Sequence, residues 1–431
     1  MQAMISASRL SGNIIVPGSK SHTIRALIIA TLAGGESVIR NPLLSEDCKS
    51  AMRAAQQFGS ACQVLPDRWV VQGPKAGLQV PDDVIDVGNS GTTLYFMAAV
   101  AALLPDAVVF TGDASIRKRP SEPLLKALRQ LGAEAFTTRS NSEAAPFVVR
   151  GPMRAGTATL SGLTSQWTSA LLIASPMCQG KTRIELPQPR EMPYIEMTID
   201  WMRRCGVQVA YDEEGFTWYE VEGGQRYEPF DSVIPSDWSS VGYPLAAALT
   251  DGSRVVIENL NFGDKQGDVK IVDHLIAMGA DIAKDEQAGT LTIHGGKTLR
   301  GMQIDMLTTP DALPVMAVVG CIAQGTTVLH NVSGARKKET DRVKVMSEVL
   351  GAMGADITCD ENTMTIRGGK PLHGALLDSH DDHRVAMALS VAGMFASGET
   401  AITRAECASV TFPGFYEKFL QLGARIQTGA E

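Results

Sequence analysis

The sequence predicts an α/β protein built from six β-α-β-α-β-β repeats of about 73 residues each. Three observations lead to this prediction. A glycine at the end of an amphipathic segment recurs at spacings of 73, 74, 73, 75 and 69 residues, a short alternating segment follows each one, and an apolar helical segment precedes each one. The recurring glycines are Gly59, Gly132, Gly206, Gly279, Gly354 and Gly423.

The first helix of each repeat is apolar on nearly every side. SHTIRALIIATLAGG near the N-terminus and HRVAMALSVAGMFASG near the C-terminus are examples. A helix that is hydrophobic all round is buried on most of its faces. Most of these segments end at a glycine and lead into a short β-branched strand such as SVI or RVVI, which is typical of a helix end followed by a strand.

The second helix of each repeat is amphipathic. In residues 340–354, the side chains of Val343, Met346, Leu350 and Met353 share one face at helical spacing. Alternating strands such as DRWVVQG and MTIRGG follow. Six such units can form one solenoid or two domains of three units, and the composition leaves both open. The Gly- and Pro-containing residues 222–237 follow the third repeat, so we place there the point at which the chain crosses from the first three repeats to the last three.

Composition narrows the class of protein. The chain has 431 residues with 44% hydrophobic and 20% charged side chains, and its formal charge of −8 disfavours a general nucleic-acid binder. The longest uninterrupted apolar run, residues 94–104, is far shorter than the ~20 residues of a membrane span. The seven cysteines are scattered without a C-x-x-C pair, which favours a reducing compartment. We therefore expect a cytoplasmic protein that binds neither nucleic acid nor membranes. We also expect a monomer, although composition does not determine the oligomeric state.

Polar residues lie at or just before the N-termini of all six apolar helices. Helix N-termini present unpaired N–H groups and a partial positive charge, so they attract anions. A plain capping role is the simpler interpretation for any single one, but six equivalent positions on a repeated scaffold favour a shared anion site. The positions are Lys20, Ser21, Asn89, Ser90, Gly91, Thr92, Thr164, Ser165, Gln166, Asp237, Ser239, Asp311, Asp382, His383 and Arg384.

Basic residues cluster in the same loops, within PGSKSHTIR, SIRKRPSEP, GARKKETDR and HDDHR. A run of charges is usually a solvated face, but four such clusters at helix starts of an acidic protein indicate a site for a highly anionic small molecule. Arginine binds phosphate or carboxylate in a bidentate way, and lysine can also move a proton.

Carboxylates are interleaved with these cations. Asp237, Asp311, Glu339, Asp341 and Asp382 could serve as acids or bases, or could simply pair with the arginines when no ligand is bound. PGSKS lacks the spacing of a phosphate-binding P-loop, and no G-x-G-x-x-G follows a strand. The run HDDH at residues 380–383 has no third ligand group nearby. We predict neither a metal nor an organic cofactor.

Six motifs, in this order and spacing, resemble the 5-enolpyruvylshikimate-3-phosphate synthase family over essentially the whole chain: PGSKSHTIRA, VGNSGTT, RKRPSEPLL, TSQWTSALL, KKETDR and DDHRVAMA. The resemblance implies the enolpyruvyl transferase fold, an inside-out α/β barrel of two three-repeat domains. Residues 1–18 with 236–431 would form one domain, including the N-terminal strand, and residues 19–235 the other. The active site would lie in the cleft between them.

The resemblance also implies the activity and its residues. The family transfers the enolpyruvyl group of phosphoenolpyruvate to the 5-hydroxyl of shikimate 3-phosphate and releases phosphate, a step of the shikimate pathway to chorismate and the aromatic amino acids. The implied phosphoenolpyruvate ligands are Lys20, Asn89, Gly91, Arg119, Gln166, Arg342 and Arg384. The implied shikimate 3-phosphate ligands are Lys20, Ser21, Arg25, Thr164, Ser165, Gln166, Tyr194, Asp311 and Lys338. Asp311 would take the hydroxyl proton, while Glu339 and Lys20 would handle protons at the methylene carbon and the departing phosphate.

Four positions depart from the family pattern. The family commonly has Lys, Arg, Asn and Ser where this chain has Val410, Tyr95, Gly334 and Glu191, respectively. A carboxylate at Glu191 is expected to repel the 3-phosphate unless Arg190 or Arg25 offsets its charge.

The departures leave two alternatives: an enolpyruvyl transferase with a different acceptor, and a non-catalytic anion-binding homologue. The branch that acts on UDP-N-acetylglucosamine usually has a reactive Cys where this chain has Ala114, which disfavours that acceptor. Lys20, Asp311 and Glu339 together disfavour a pure binder, because binding alone does not need both an acid and a base. RNA-processing enzymes with related repeats are disfavoured by the net negative charge.

Overall fold

The computed structural model of the chain describes residues 1–429, so the last two residues of the predicted first domain, 430 and 431, lie outside the described part. The described chain forms two compact units. Met1–Pro17 and the chain from Pro235 onward form one, here called the C-terminal unit, and Gly18–Ile234 form the other, the inserted unit. The two points at which the chain passes from one unit to the other, after residues 17 and 234, each differ by one residue from the boundaries that the resemblance implies.

The predicted class of α/β fold is confirmed. The α-helices are α1 (Lys20–Leu32), α2 (Glu46–Gln57), α3 (Gly91–Ala101), α4 (Glu122–Gln130), α5 (Ser165–Ala174), α6 (Met192–Arg204), α7 (Trp238–Ala247), α8 (Lys270–Ala277), α9 (Leu313–Ile322), α10 (Arg342–Ala352), α11 (His383–Phe395) and α12 (Phe415–Gln421).

The strands form four-stranded sheets, six of them within residues 1–429. They are β1 (Gln2–Ser6), β2 (Ser11–Ile15), β3 (Glu36–Arg40), β4 (Ala61–Val64), β5 (Arg68–Gln72), β6 (Ile85–Asp86), β7 (Ala107–Thr111), β8 (Glu134–Thr137), β9 (Phe147–Arg150), β10 (Thr157–Thr159), β11 (Lys181–Glu185), β12 (Ala210–Tyr211), β13 (Trp218–Glu222), β14 (Asp231–Val233), β15 (Arg254–Glu258), β16 (Asp281–Asp285), β17 (Thr290–His294), β18 (Gln303–Asp305), β19 (Gly325–His330), β20 (Asp356–Cys359), β21 (Thr363–Gly368), β22 (Leu376–Asp378), β23 (Glu399–Thr403) and β24 (Arg425–Gly429).

Every one of these sheets has the same pattern of one parallel and two antiparallel strand pairs. In the third repeat, for example, β10 is parallel to β11, and the buried helix α5 connects the two strands. Strand β13 is antiparallel to both β11 and β12, so the spatial order is β10-β11-β13-β12. A parallel pair needs a long crossover, whereas an antiparallel pair closes with a short turn. Each repeat therefore presents one buried helix start next to the end of its first strand.

At both points where the chain passes from one unit to the other, the strand before the passage pairs within the unit that the chain is leaving. Strand β2 precedes α1 but pairs with β15, with Ser11 opposite Arg254. Strand β14 precedes α7 but pairs with β3, with Asp231 opposite Val38. Strand β1 lies between β23 and β24. Both β1 and β2 therefore belong to sheets of the C-terminal unit.

The helix predictions are confirmed. Every residue of α3 and α7 is buried. Val343, Met346, Leu350 and Met353 are fully buried, although α10 begins at Arg342, where Asp341 caps it by accepting from the Lys344 backbone N–H. The six recurring glycines all have φ between +86° and +103°, the left-handed conformation that ends a helix and favours glycine. Among the described helices, none combines the length and apolar content of a membrane span.

Candidate active site

A buried arginine organises the charged residues of the C-terminal unit. The Arg342 side chain is fully buried at the start of α10. Its Nε lies 2.8 Å from Asp382 Oδ2, its Nη2 2.6 Å from Glu339 Oε2, and its Nη1 2.9 Å from Asp311 Oδ1. Burial alone would lower the pKa of Arg342, but the three carboxylates raise it above its ordinary value. Arg342 therefore stays charged and fixes the three carboxylates around it.

Asp311 lies in the short 3-10 turn Pro310–Ala312 that leads into α9. Besides Arg342, its carboxylate contacts Arg384 Nη2 at 3.4 Å and Lys338 Nζ at 3.7 Å. Burial would raise the pKa of Asp311, but the charges of Arg384, Lys338 and Arg342 outweigh burial and hold that pKa well below its usual range. Asp311 is therefore ionised at neutral pH. We call Asp311, Lys338, Glu339, Arg342, Asp382 and Arg384 the Arg342 cluster.

Two interactions fix the cluster to the start of α11. Asp382 is the N-cap, and its Oδ1 accepts from the Arg384 backbone N–H at 3.0 Å. Its Oδ2 also accepts from the Thr340 hydroxyl at 2.9 Å. One carboxylate thus caps a helix and holds both Arg342 and Thr340, which explains how a buried aspartate is fully compensated.

Sequence reasoning missed Asp268, a buried carboxylate of the same unit. It lies in the 3-10 turn Gly267–Val269 before α8 and accepts from the Ser239 hydroxyl at 2.7 Å. Burial and the negative charge of Asp311 raise the pKa of Asp268 to about 6. One signal was available: Asp268 occupies the loop before the second helix of its repeat, as Glu339 does in the next repeat.

In the inserted unit, several predicted residues meet at the start of α3. Arg119 Nη2 donates to Asn89 Oδ1 at 2.7 Å, and Asn89 Nδ2 donates to Asp113 Oδ2 at 2.6 Å. A Cβ atom on Gly91 would lie 3.0 Å from Arg119 Nη1 and 3.5 Å from Gln166 Oε1. The absence of a side chain at Gly91 therefore lets Arg119 and Gln166 approach the helix start closely.

Lys20 lies at the start of α1 with a partner that the sequence did not indicate. Its Nζ is 3.1 Å from Asp47 Oδ2 in the first turn of α2, and the side chains are only 14% and 8% exposed. Asp47 keeps the ammonium group in place when no anion is bound.

Arg25, Ser21 and Tyr194 also meet. The buried Arg25 donates through Nε to Thr198 Oγ1 at 2.8 Å, and through its Nη atoms to the Ser21 and Tyr194 carbonyls at 3.0 Å each. All three acceptors are neutral oxygens, and burial lowers the pKa of Arg25 to about 10. Arg25 therefore joins α1 to α6 and leaves this region of the unit with a buried positive charge.

The start of α5 carries a carboxylate. Glu191 Oε2 accepts from the Ser165 backbone N–H at 3.0 Å, from the Ser165 hydroxyl at 2.9 Å and from the Thr164 hydroxyl at 3.4 Å. Thr164 also caps α5 by accepting from the Gln166 backbone N–H. The carboxylate of Glu191 itself therefore lies at the N-terminus of α5, and the expected repulsion of the 3-phosphate is located there.

The other three positions at which this chain differs from the family pattern are Tyr95, Gly334 and Val410. The buried Tyr95 donates its hydroxyl to the Pro120 carbonyl at 2.8 Å and packs edge-on against Trp167. A Cβ on Gly334 would meet only Pro310, at 3.9 Å. Val410 ends a 3-10 helix and is half-buried. In residues 1–429, no group of three or more His, Cys, Asp or Glu side chains is arranged to hold a metal ion.

Comparisons with known proteins identify the family of the chain. The family described as EPSP synthase (3-phosphoshikimate 1-carboxyvinyltransferase) matches residues 5–419. The 3-phosphoshikimate 1-carboxyvinyltransferase of Ruminiclostridium cellulolyticum is 44% identical, with 98% of this chain and 99% of that one covered. That of Methanosarcina acetivorans is 40% identical over the full length of both chains.

Solved structures add the fold. EPSP synthase from Acinetobacter baumannii is similar with a TM-score of 0.84 and 28% identity over the full length of both chains. The enolpyruvyl transferase NikO from Streptomyces tendae, at 18% identity and a TM-score of 0.79, covers 100% of this chain and 99% of its own, and shows the shared fold alone. The chain belongs to the EPSP synthase family, the 3-phosphoshikimate 1-carboxyvinyltransferases.

Proposed function

We propose that this protein transfers the enolpyruvyl group of phosphoenolpyruvate to the 5-hydroxyl of shikimate 3-phosphate and releases phosphate, in the pathway to chorismate and the aromatic amino acids. The observation that carries the proposal is the Arg342 cluster, in which an ionised Asp311 is surrounded by three cations. Both substrates are polyanions, and the reaction needs a base next to the attacking hydroxyl. The proposal assigns residues of both units to one reaction.

Phosphoenolpyruvate carries a phosphate and a carboxylate, and both suit bidentate guanidinium groups. In the C-terminal unit, Arg342 and Arg384 are the proposed ligands. In the inserted unit the proposed ligands are Lys20, Asn89, Gly91, Arg119 and Gln166. The contact of Arg119 with Asn89 supports this role, because it positions the guanidinium beside the N-terminus of α3.

Shikimate 3-phosphate carries its own phosphate and carboxylate. Arg25 supports binding of this substrate, because its buried charge has only neutral hydrogen-bond acceptors and an anion would balance it. The Ser165 backbone N–H and the hydroxyls of Thr164 and Ser165 would bind the phosphate at the start of α5. The remaining proposed ligands are Lys20, Ser21, Gln166, Tyr194, Asp311 and Lys338.

The addition step follows from the charges around Asp311. Arg384, Lys338 and Arg342 keep the pKa of Asp311 low, which makes it a weak base. When the phosphate and carboxylate of phosphoenolpyruvate pair with Arg342 and Arg384, those cations act less on Asp311, so its pKa rises toward the range of an effective base. Asp311 then takes the 5-hydroxyl proton while the oxygen attacks C2 of the enol and C3 receives a proton, for which protonated Glu339 is the proposed donor, giving a tetrahedral ketal phosphate.

The elimination step reverses the proton movement at carbon. The C2–phosphate bond breaks, C3 loses a proton, and the vinyl ether forms. Glu339 is the proposed group at C3, because Arg342 holds its carboxylate 2.6 Å away in the same cluster as Asp311. Lys20 is the proposed donor to the departing phosphate oxygen, since an ammonium group can neutralise the developing charge and give up a proton.

Phosphate release tests the proposal. Purified protein is incubated with phosphoenolpyruvate, alone, with shikimate 3-phosphate or with shikimate. We expect release of phosphate that depends on shikimate 3-phosphate. We also propose that the protein acts as a monomer in the cytoplasm. No stimulation by shikimate 3-phosphate would overturn the proposed acceptor, and stimulation by shikimate alone would point to an acceptor without the phosphate.

A further inference from the structure

We infer that Glu191 is an internal anion that competes with the phosphate of shikimate 3-phosphate for the N-terminus of α5 and so sets the affinity and phosphate selectivity of the acceptor site. The inference rests on the proposed function, because it takes the acceptor to be a phosphate ester bound at Thr164 and Ser165. It goes beyond that function by assigning a specificity-determining role to a residue that performs no chemistry.

The geometry places the carboxylate where an anion would bind. Glu191 Oε2 accepts hydrogen bonds from the Ser165 backbone N–H, the Ser165 hydroxyl and the Thr164 hydroxyl, at 3.0, 2.9 and 3.4 Å. Glu191 is only 4% exposed. These are the donors that a phosphate at this helix start would use.

The backbone supports a specialised position. Glu191 has φ +53° and ψ +36°, the left-handed conformation that side chains other than those of Gly, Asn and Asp adopt uncommonly. It immediately precedes α6, so this conformation directs the side chain across to the start of α5. Ordinary capping does not explain the contact, because Thr164 already caps α5.

Two anions cannot share these donors. Each charge-assisted hydrogen bond to Glu191 must be broken before the phosphate can form its own, and the two negative charges would repel each other if both stayed. Shikimate lacks the phosphate and does not meet this competition. Removing the charge at Glu191 should therefore improve the binding of shikimate 3-phosphate much more than that of shikimate.

The experiment measures dissociation constants for shikimate 3-phosphate and shikimate by calorimetry on the full chain. Glu191→Gln keeps the length of the side chain and removes its charge. Glu191→Asn and Glu191→Asp form a second pair, since both side chains tolerate the left-handed backbone and differ only in charge. Glu196→Gln, on the same helix α6, is the control for an equal change of net charge.

We expect Glu191→Gln to tighten binding of shikimate 3-phosphate about tenfold or more, with shikimate affinity nearly unchanged. Glu191→Asn should bind shikimate 3-phosphate more tightly than Glu191→Asp, and Glu196→Gln should match the unmodified protein. A purely structural role for Glu191 would lower the melting temperature without this change in the ratio of dissociation constants.

Two results would overturn the inference and differ in meaning. If the protein and its variants bind shikimate 3-phosphate with unchanged constants and turn it over, Glu191 does not compete and the proposed function stands. If neither the protein nor any variant binds or turns over shikimate 3-phosphate, the proposed acceptor is wrong and the inference fails with it.

Discussion

Each unit contains a fully buried arginine, Arg342 in α10 and Arg25 in α1, and the groups around the two differ in charge. Arg342 in the C-terminal unit contacts three carboxylates, which raise its pKa. Arg25 in the inserted unit contacts three neutral oxygens, and burial lowers its pKa. The same type of repeat therefore carries a cluster of mutually paired charges in one unit and a buried cation that suits an anionic ligand in the other.

The N-caps of the buried helices also differ in charge between the two units. In the C-terminal unit, Asp237 and Asp382 cap α7 and α11 with carboxylates. In the inserted unit, Ser90 and Thr164 cap α3 and α5 with hydroxyls. A hydroxyl cap leaves the partial positive charge of a helix start available to an anion, whereas a carboxylate cap neutralises it. Glu191 is the exception, because it brings a carboxylate to a helix start of the inserted unit.

The largest expected effect comes from removing the base of the C-terminal unit. Asp311→Asn should lower kcat about 10²- to 10⁴-fold, the usual contribution of a general base. Affinity for phosphoenolpyruvate should be retained or improved, because Arg342 and Arg384 lose a competing carboxylate. Phosphate-release kinetics and calorimetry measure the two quantities, with Asp281→Asn on the exposed strand β16 as the control. Undiminished turnover in Asp311→Asn would show that another group takes the proton.

The two buried arginines should differ in their effect on stability. Arg342→Met leaves Asp311, Glu339 and Asp382 without their shared cation, so the free energy of unfolding should fall by roughly 3–5 kcal/mol. Arg25→Met removes a cation that no carboxylate contacts and leaves only neutral acceptors unsatisfied, so the loss should be smaller, roughly 1–3 kcal/mol. Urea denaturation measures both losses. Equal losses would contradict the contrast between the two units.

A smaller effect should appear in the pH dependence of stability. The pKa of Asp268 is about 6 in the folded protein, against about 3.9 in an unfolded chain. Between these values the folded state holds more protons, so the contribution of Asp268 to stability is fully present below about pH 4 and is lost as the pH rises through about 6.

Asp268→Asn removes this titration. The stability of the unmodified protein relative to Asp268→Asn should therefore fall by roughly 1–3 kcal/mol between about pH 4 and pH 7. Urea denaturation of both proteins across that range measures the difference. Parallel stability profiles would mean that Asp268 titrates at its ordinary pKa.

The sequence was sufficient to predict the repeats, because they depend on local patterns. Gly354 ends a helix and Val343 to Met353 form an apolar face within a single repeat, so neither requires knowledge of the rest of the chain. The residue types of the site were also predictable, since Asp311, Arg342 and Arg384 lie at helix starts of the repeat pattern. The catalytic and binding roles assigned to them stay predictions.

The pairings were not predictable, because they join different repeats. Arg342 pairs with Asp382 across 40 residues, and Arg384 with Asp311 across 73. Which carboxylate reaches which guanidinium depends on where the loops lie after the sheets have formed. Glu191 shows the same limit: its charge indicated repulsion, but only its hydrogen bonds to Ser165 and Thr164 show that it occupies the start of α5.

The most direct test of the account identifies the product. Phosphoenolpyruvate labelled with ¹³C at C2 is incubated with shikimate 3-phosphate and the protein, and the reaction is followed by NMR. We predict that the label appears in a vinyl ether bonded to the 5-oxygen of shikimate 3-phosphate, in equal amount to the phosphate released. Label that stays in phosphoenolpyruvate, appears in pyruvate or joins a different oxygen would contradict the account.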